Sequence, residues 1–154
     1  MKAAFVINNR NKGAHVYKAV CGALSQTYPC EIIISDQGST DNSLEEIHRA
    51  LAECTRGAKH YVRILHCPIT GPSCMETGNR HIQWCAQQAT PGVEWIFQCS
   101  ADDISLPNRV ALCMAAVETN PCDAVATTMF FATPEQLAEP WHPSALHSGV
   151  FKPD

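Results

Sequence analysis

Two short polar runs carry the side chains best suited to chemistry. One is Asp36-Gln37-Gly38-Ser39-Thr40-Asp41-Asn42, which follows Ile32-Ile33-Ile34. The other is Ser100-Ala101-Asp102-Asp103, which follows Glu94–Cys99, EWIFQC. Carboxylates accept hydrogen bonds, hydroxyls accept and donate, and the Gln37 amide does both from separate atoms. Together they suit recognition of a polar ligand. Each run also has a plainer explanation. Ser, Asp, Asn and Gly are the residues that turns and N-caps need, and the helix dipole favours acids at a helix start.

The flanking patterns say what must position these runs. Ile32-Ile33-Ile34 is β-branched throughout and too short for a helix, which reads as a buried strand. Leu44-Glu45-Glu46-Ile47 opens a helical pattern, with Ser43 and Glu46 as a capping box. The first polar run therefore sits at the carboxyl end of a strand, where open α/β sheets bind ligands. Lys2–Ile7 reads as an earlier strand, followed by the loop Asn8–Gly13 and a helix with Val16, Val20, Ala23 and Leu24 on one face. Leu44, Ile47 and Leu51 line the second helix, and Gly57 breaks it. Tyr61–Leu65 is a third strand, Cys67–Cys74 a loop and Met75–Gln88 a third helix. Glu94–Cys99 is the fourth strand. Pro107 suits the first turn of a helix faced by Val110, Met114 and Val117, and Asp123–Phe131 is a fifth strand. Strands alternating with helices predict an α/β domain, a mostly parallel sheet with helices on both faces. The pattern stops after Ala132, dividing residues 1–132 from an irregular segment, 133–154.

Composition excludes several classes. The 154 residues suffice for one domain with a core. Hydrophobic residues make up 45% and charged ones 17%, which indicates an ordinary globular chain. A net charge of −4 without basic blocks argues against nucleic acid as a partner. No apolar run is long enough to span a bilayer. Met1-Lys2 leads straight into Ala3–Ile7 with no signal-peptide core, so a cytoplasmic, reducing location and nine free thiols are expected. His66, Cys67 and Cys74 lie close together, but their spacing matches no zinc pattern.

The two polar strand ends, taken together, resemble the nucleotide-binding half of the inverting family-2 glycosyltransferases, which have the GT-A fold. Several pieces fall in the family's order over about Ala3–Phe131. Phe5-Val6-Ile7 with Asn8–Asn11 is similar to its first strand and polar loop. Leu24-Ser25-Gln26-Thr27-Tyr28 resembles its LxQTY helix end, and Ile33–Ser43 its VDDGSTDGT-type turn. Gly71-Pro72-Ser73 resembles its glycine-rich loop, and Ser100–Asp103 with Leu106-Pro107-Asn108-Arg109 its DADD…PDR segment. Four departures stand out. The second acid of the first turn is Gln37, and the first acid of the DxD is Ser100. The arginine expected before the third helix is absent or displaced within Thr77-Gly78-Asn79-Arg80. The acceptor-binding half is short, as in a truncated or minimal variant.

The resemblance implies a single Rossmann-like GT-A domain that transfers a sugar from a nucleoside diphosphate donor, UDP-sugar for preference, to a glycan, lipid or protein acceptor. No transmembrane segment is implied, and peripheral membrane association stays compatible. Nucleotide-binding positions would be Asn8, Asn9, Asp36, Gln37, Gly38, Ser39, Ser100 and Ala101. Gln37 would take the N3–H of uracil on its carbonyl and offer its NH₂ to a ring carbonyl. Arg10 could approach the phosphates, although a loop arginine is ordinarily just solvated. Asp102 falls on the metal position, implying Mn²⁺ or Mg²⁺. Asp103 would cap the Pro107 helix. Glu135, Glu139, His142 and His147 lie where the catalytic base belongs, and nothing selects among them. The weakened DxD leaves open a second class, a nucleotide-sugar-binding module without transfer. A nucleotidyltransferase is a weaker third reading, because Asn8–Gly13 is only faintly like a phosphate loop.

Overall fold

The computed structural model describes residues 1–54, 59–72 and 74–125. Four strands, β1 (Ala3–Asn9), β2 (Glu31–Asp36), β3 (Tyr61–His66) and β4 (Trp95–Ser100), alternate with four helices, α1 (Gly13–Leu24), α2 (Ser43–Cys54), α3 (Met75–Gln87) and α4 (Arg109–Thr119). The sheet order is β3-β2-β1-β4, and every pairing is parallel. The central strands β1 and β2 are buried on both faces, which is why they read as unbroken apolar runs. The outer strands β3 and β4 are mixed in burial. β1 continues two residues beyond the expected Ile7, so Asn8 and Asn9 belong to the strand rather than to the loop. The expected fifth strand falls largely on residues outside the described set, and so do Gly57 and all four candidate bases.

The two sheet faces are unequal. Phe5, Ile7, Ile32 and Ile34 pack against Val16 and Val20 of α1, Ile47 of α2 and Val110 of α4. On the other face Ala4, Val6 and Ile33 meet Cys85 of α3. Helices thus cover both faces, as expected, with three of the four on one side. A buried isoleucine contributes about 1.5–3 kcal/mol, so the Ile32–Ile34 run anchors both layers at once.

Two residues from the matched motifs prove structural. Gln26 is buried, and its Nε2 donates to the carbonyls of Gly22 (3.0 Å) and Leu106 (2.7 Å). Its Oε1 accepts from the Val110 amide (3.1 Å), satisfying one free N–H of the first turn of α4. Arg109 donates to Ser105 Oγ (2.9 Å) and to the Gln98 carbonyl (3.1 Å), stapling α4 to β4. The polar run between those elements is therefore held from both ends. Asp103 does not cap α4 as expected, because its side chain is exposed and Gln26 takes that role. The capping box of α2 is also corrected. Asp41 Oδ1 accepts from the Ser43 amide (3.0 Å), and Glu46 pairs with Arg49 instead of reaching back.

The cysteines correct a further expectation. Cys30, Cys67, Cys85, Cys99 and Cys113 are buried free thiols that act as small hydrophobes. Burial pushes Cys30 up to about 12, which keeps it protonated and unreactive. Cys21 and Cys54 instead form a disulfide joining α1 to the end of α2, with Cα atoms 5.6 Å apart. Helical periodicity placed each cysteine on its helix, but not the two helices side by side. No helix among the described residues is long and apolar enough to cross a membrane.

Glu31, at the start of β2, is buried and ties three segments together. Its Oε1 accepts from Arg63 on β3 (2.9 Å), and its Oε2 from the Thr90 amide (2.8 Å). Burial raises its pKa, but the bonds from Thr90 and Arg63 outweigh that and hold the carboxyl below its ordinary range. A depressed carboxyl stabilises the fold above the unfolded-state pKa of about 4.3, and the contribution is lost as pH falls through the folded value. Glu31→Gln should therefore cost about 2–3 kcal/mol in urea unfolding at pH 7, with the difference shrinking below about pH 4. A pH-independent difference would contradict this. The disulfide predicts that unreduced, unfolded protein titrates seven thiols of its nine cysteines. Closing a loop with a sequence separation of 33 stabilises by about 3–4 kcal/mol. A count of nine thiols would contradict the bridge.

Candidate active site

Parallel pairing brings the polar strand ends to one edge. Asn9 stands opposite Asp36, and Asn8 lies between Ser35 and Ser100. The loops that leave β1 and β2 are laced together there. Asn9 Nδ2 donates to Asp36 Oδ1 (2.7 Å) and to Ser39 Oγ (3.1 Å). The Asn11 amide donates to Ser39 Oγ (2.9 Å), and Asn11 Oδ1 accepts from the Thr40 amide (2.8 Å). The Lys12 amide reaches Ser43 Oγ (3.1 Å), and the Gly13 amide reaches Asp41 Oδ2 (2.8 Å). Asp41 thus serves the first turns of both α1 and α2. Two backbone features permit this closeness. Gly38 has φ +63°, a left-handed conformation that favours glycine. A Cβ on Gly13 would lie only 1.9 Å from Asn42 Oδ1, so a side chain there would have to displace Asn42.

Both oxygens of Asp36 take part in this lacing. Oδ1 also accepts from Ser39 Oγ (2.5 Å), and Oδ2 accepts from the Ser39 amide (2.9 Å). Asp36 therefore positions the two loops as well as standing at the expected nucleotide-binding edge. Ser39 is likewise occupied, and Ala101 is buried.

The cleft beside the lacing is lined from four sides. β1 and its loop supply Asn8, Asn9, Arg10 and Lys12, and the end of β2 supplies Gln37. Cys74, Thr77, Gly78 and His81 come from the start of α3, and Ser100 from β4. Gln37 Nε2 donates to the Ile69 carbonyl (2.8 Å). A carbonyl only accepts, so this bond fixes the amide orientation and leaves Oε1 as the open acceptor. Asn9 Oδ1 is buried and has no hydrogen-bond partner among the described residues. Such an unpaired acceptor is costly and is the kind of group that a ligand donor or a water satisfies. Arg10 is held by the Gly71 carbonyl (2.7 Å).

His81 and Lys12 were not singled out from sequence. His81 is buried against Ser35 Oγ (2.7 Å), and burial lowers its pKa so that it stays neutral at pH 7. Lys12 Nζ lies 2.6 Å from Asp102 Oδ2, while Ser100 Oγ donates to Asp102 Oδ1 (2.5 Å). Burial pushes Asp102 up, but the bonds from Lys12 and Ser100 outweigh it and hold the carboxyl below its ordinary range. Lys12 belongs to the polar loop Asn8–Gly13, which was the available signal. His81 gave none, because a histidine inside a helical pattern reads as core.

The surroundings of Asp102 do not suit a preformed divalent-cation site. Among the described residues, both oxygens of the Asp102 carboxylate are already hydrogen-bonded, to Lys12 and Ser100. An ammonium stands where a cation would approach. No group of three His, Cys, Asp or Glu side chains able to hold a metal occurs among the described residues.

A model of the family described as Glycosyl transferase family 2 matches residues 4–152. The chain belongs to this family. It is 27% identical over 130 residues to an uncharacterized glycosyltransferase of Mycoplasma pneumoniae, covering 81% of the chain and 40% of that protein. The chain therefore spans less than half the length of this curated relative. Among solved structures it resembles Staphylococcus aureus TarS, with a TM-score of 0.57 and 17% identity over 77% of this chain and 20% of that one. It also resembles the mannosyltransferase PcManGT of Pyrobaculum calidifontis, solved in complex with GDP-Man and Mn²⁺. That likeness has a TM-score of 0.55 and 15% identity over 75% of this chain and 31% of that one. These likenesses establish the GT-A fold.

If the lacing holds the family-2 cleft open, its removal should be felt in stability. Asp36→Ala strands the Asn9 amide and two Ser39 donors, and each unmade buried bond costs about 1–3 kcal/mol. Urea unfolding should give a loss of about 2–4 kcal/mol. A variant as stable as the parent would contradict the lacing.

Proposed function

We propose that this chain is the donor-binding half of a glycosyltransferase that takes a UDP-sugar and passes the sugar to a glycan, lipid or protein acceptor. The observation that carries this reading is Gln37. Its amide is pinned by Ile69, Gln37 lines the cleft, and its carbonyl oxygen is left as the acceptor that the uracil N3–H would use. The unpartnered Asn9 Oδ1, on a residue that also lines the cleft, is an acceptor for a ribose hydroxyl rather than for the base edge, whose ring carbonyls donate nothing. Guanine and adenine do not present the same ring donor flanked by two carbonyls.

The chemistry that this cleft would serve breaks the bond between the anomeric carbon and the phosphate oxygen. An acceptor hydroxyl forms a new bond to that carbon from the opposite face, inverting it, and loses its proton to a base. The diphosphate leaves with added negative charge, so fixed cations close to it lower the barrier. Arg10 and Lys12, both on the β1 loop, line the cleft. The base belongs to the acceptor-side region that we assign to residues after 132. Divalent-cation dependence is the second reading. The Mn²⁺ in the Pyrobaculum complex favours it, and the donor set around Asp102 opposes it.

The test is nucleotide choice. UDP should bind more tightly than GDP or ADP, and Gln37→Leu should erase a preference of about tenfold or more, the worth of one buried hydrogen bond. Equal affinities in the unmodified protein would remove Gln37 from the site. Tight UDP binding without transfer to any acceptor would favour a binding module.

A further inference from the structure

We propose that Lys12 is the cation that Asp102 presents to the donor diphosphate, so that this chain binds its nucleotide without a divalent metal. The inference rests on the nucleotide-sugar reading of the cleft and goes beyond it by assigning where the neutralising charge comes from.

Geometry carries the proposal. The Lys12 backbone is fixed, with its amide on Ser43 Oγ and the next amide on Asp41. Its Nζ is aimed at Asp102 Oδ2 at 2.6 Å, across 90 residues of sequence. An ammonium has three donors, and among the described residues Asp102 takes one. The side chain is 42% exposed, so the remaining N–H groups can reach phosphate oxygens in the cleft. Lysine is an established phosphate binder that acts as a point charge.

Charge count points the same way. Serine at position 100 removes one negative charge from the edge, and its hydroxyl is spent on Asp102. At Asp102 itself the carboxylate charge is balanced by the Lys12 ammonium. A divalent ion would therefore have to displace Lys12 from Asp102. Gly78, in the stretch that resembles the family's arginine site, lines the cleft without any side chain. Among the described residues that line the cleft, the positive charge facing a diphosphate thus comes from Arg10 and Lys12. Arg10 leans on Gly71 and Lys12 on Asp102, so the β1 loop supplies a cation in two directions.

The test is calorimetric titration of UDP into the full chain at fixed ionic strength, in EDTA and in Mn²⁺. The unmodified protein should bind UDP in EDTA, with Mn²⁺ changing the affinity by no more than about threefold. Lys12→Gln should weaken binding in EDTA by about tenfold or more, the worth of a charge-assisted hydrogen bond. With Asp102 released, that variant should also acquire an Mn²⁺ enhancement that the parent lacks. Lys12→Arg should keep metal-free binding, and circular dichroism should show all three proteins equally folded. UDP binding by the parent only in Mn²⁺ would overturn the role of Lys12 while leaving the donor reading standing. Unchanged binding of Lys12→Gln in EDTA would overturn it too. No binding of UDP, GDP or ADP under either condition would overturn both.

Discussion

The hydrogen bonds between the β1 and β2 loops are the constraint on which the site depends. Parallel pairing alone brings Asn9 beside Asp36, but it does not say how the chain leaves the strands. The lacing of Asn9, Asn11, Lys12 and Gly13 onto Asp36, Ser39, Thr40, Asp41 and Ser43 does. It satisfies backbone groups at the starts of α1 and α2 that would otherwise lack partners. It also points two cations and one amide into the same cleft. A surface loop in water would adopt many conformations, and about 1–2 kcal/mol per residue of backbone entropy opposes fixing one. Here short polar side chains, each used more than once, offset that cost.

The other side of the cleft is built on the same principle with different parts. Gln26 ties the end of α1 to the start of α4, and Arg109 ties α4 back to β4. Ser100, Ala101 and Asp102 therefore sit on a turn whose two ends are anchored. Asp102 faces Lys12 because both of these frames are rigid, and not because the ion pair holds them. A pair with both side chains about 40% exposed contributes about 0–1 kcal/mol at most. It is an arrangement of charge rather than a brace, which leaves it available to a ligand.

Much of this was legible in the sequence, for identifiable reasons. Ile32-Ile33-Ile34 announced a buried strand and EWIFQC a second strand, and the polar residues after them marked the edge where the cleft lies. Three things were not legible. The part Asp36 plays in tying the loops was hidden, because the sequence does not record that Asn9 and Ser39 bond to both of its oxygens. Lys12 was not singled out, because its partner lies 90 positions away. The Cys21–Cys54 bridge was hidden because helical period places a side chain on a face without saying which helix faces it. Each miss is a long-range contact, the kind of information that local pattern omits. Gln37 shows the converse. Its amide chemistry was readable, and the structure added the Ile69 carbonyl that decides which end is free.

The central claim is that a nucleoside diphosphate sits where the laced loops meet the end of β4. The most direct test is a backbone and side-chain amide NMR titration of the ¹⁵N-labelled chain with UDP. The account predicts that resonances of Asn9–Lys12, Gln37–Ser39 and Ser100–Asp102 shift together, with the Gln37 side-chain amide among them, while those of α2 beyond its first turn stay in place. Shifts confined to the outer faces of the helices, with the strand-end amides unmoved, would contradict it.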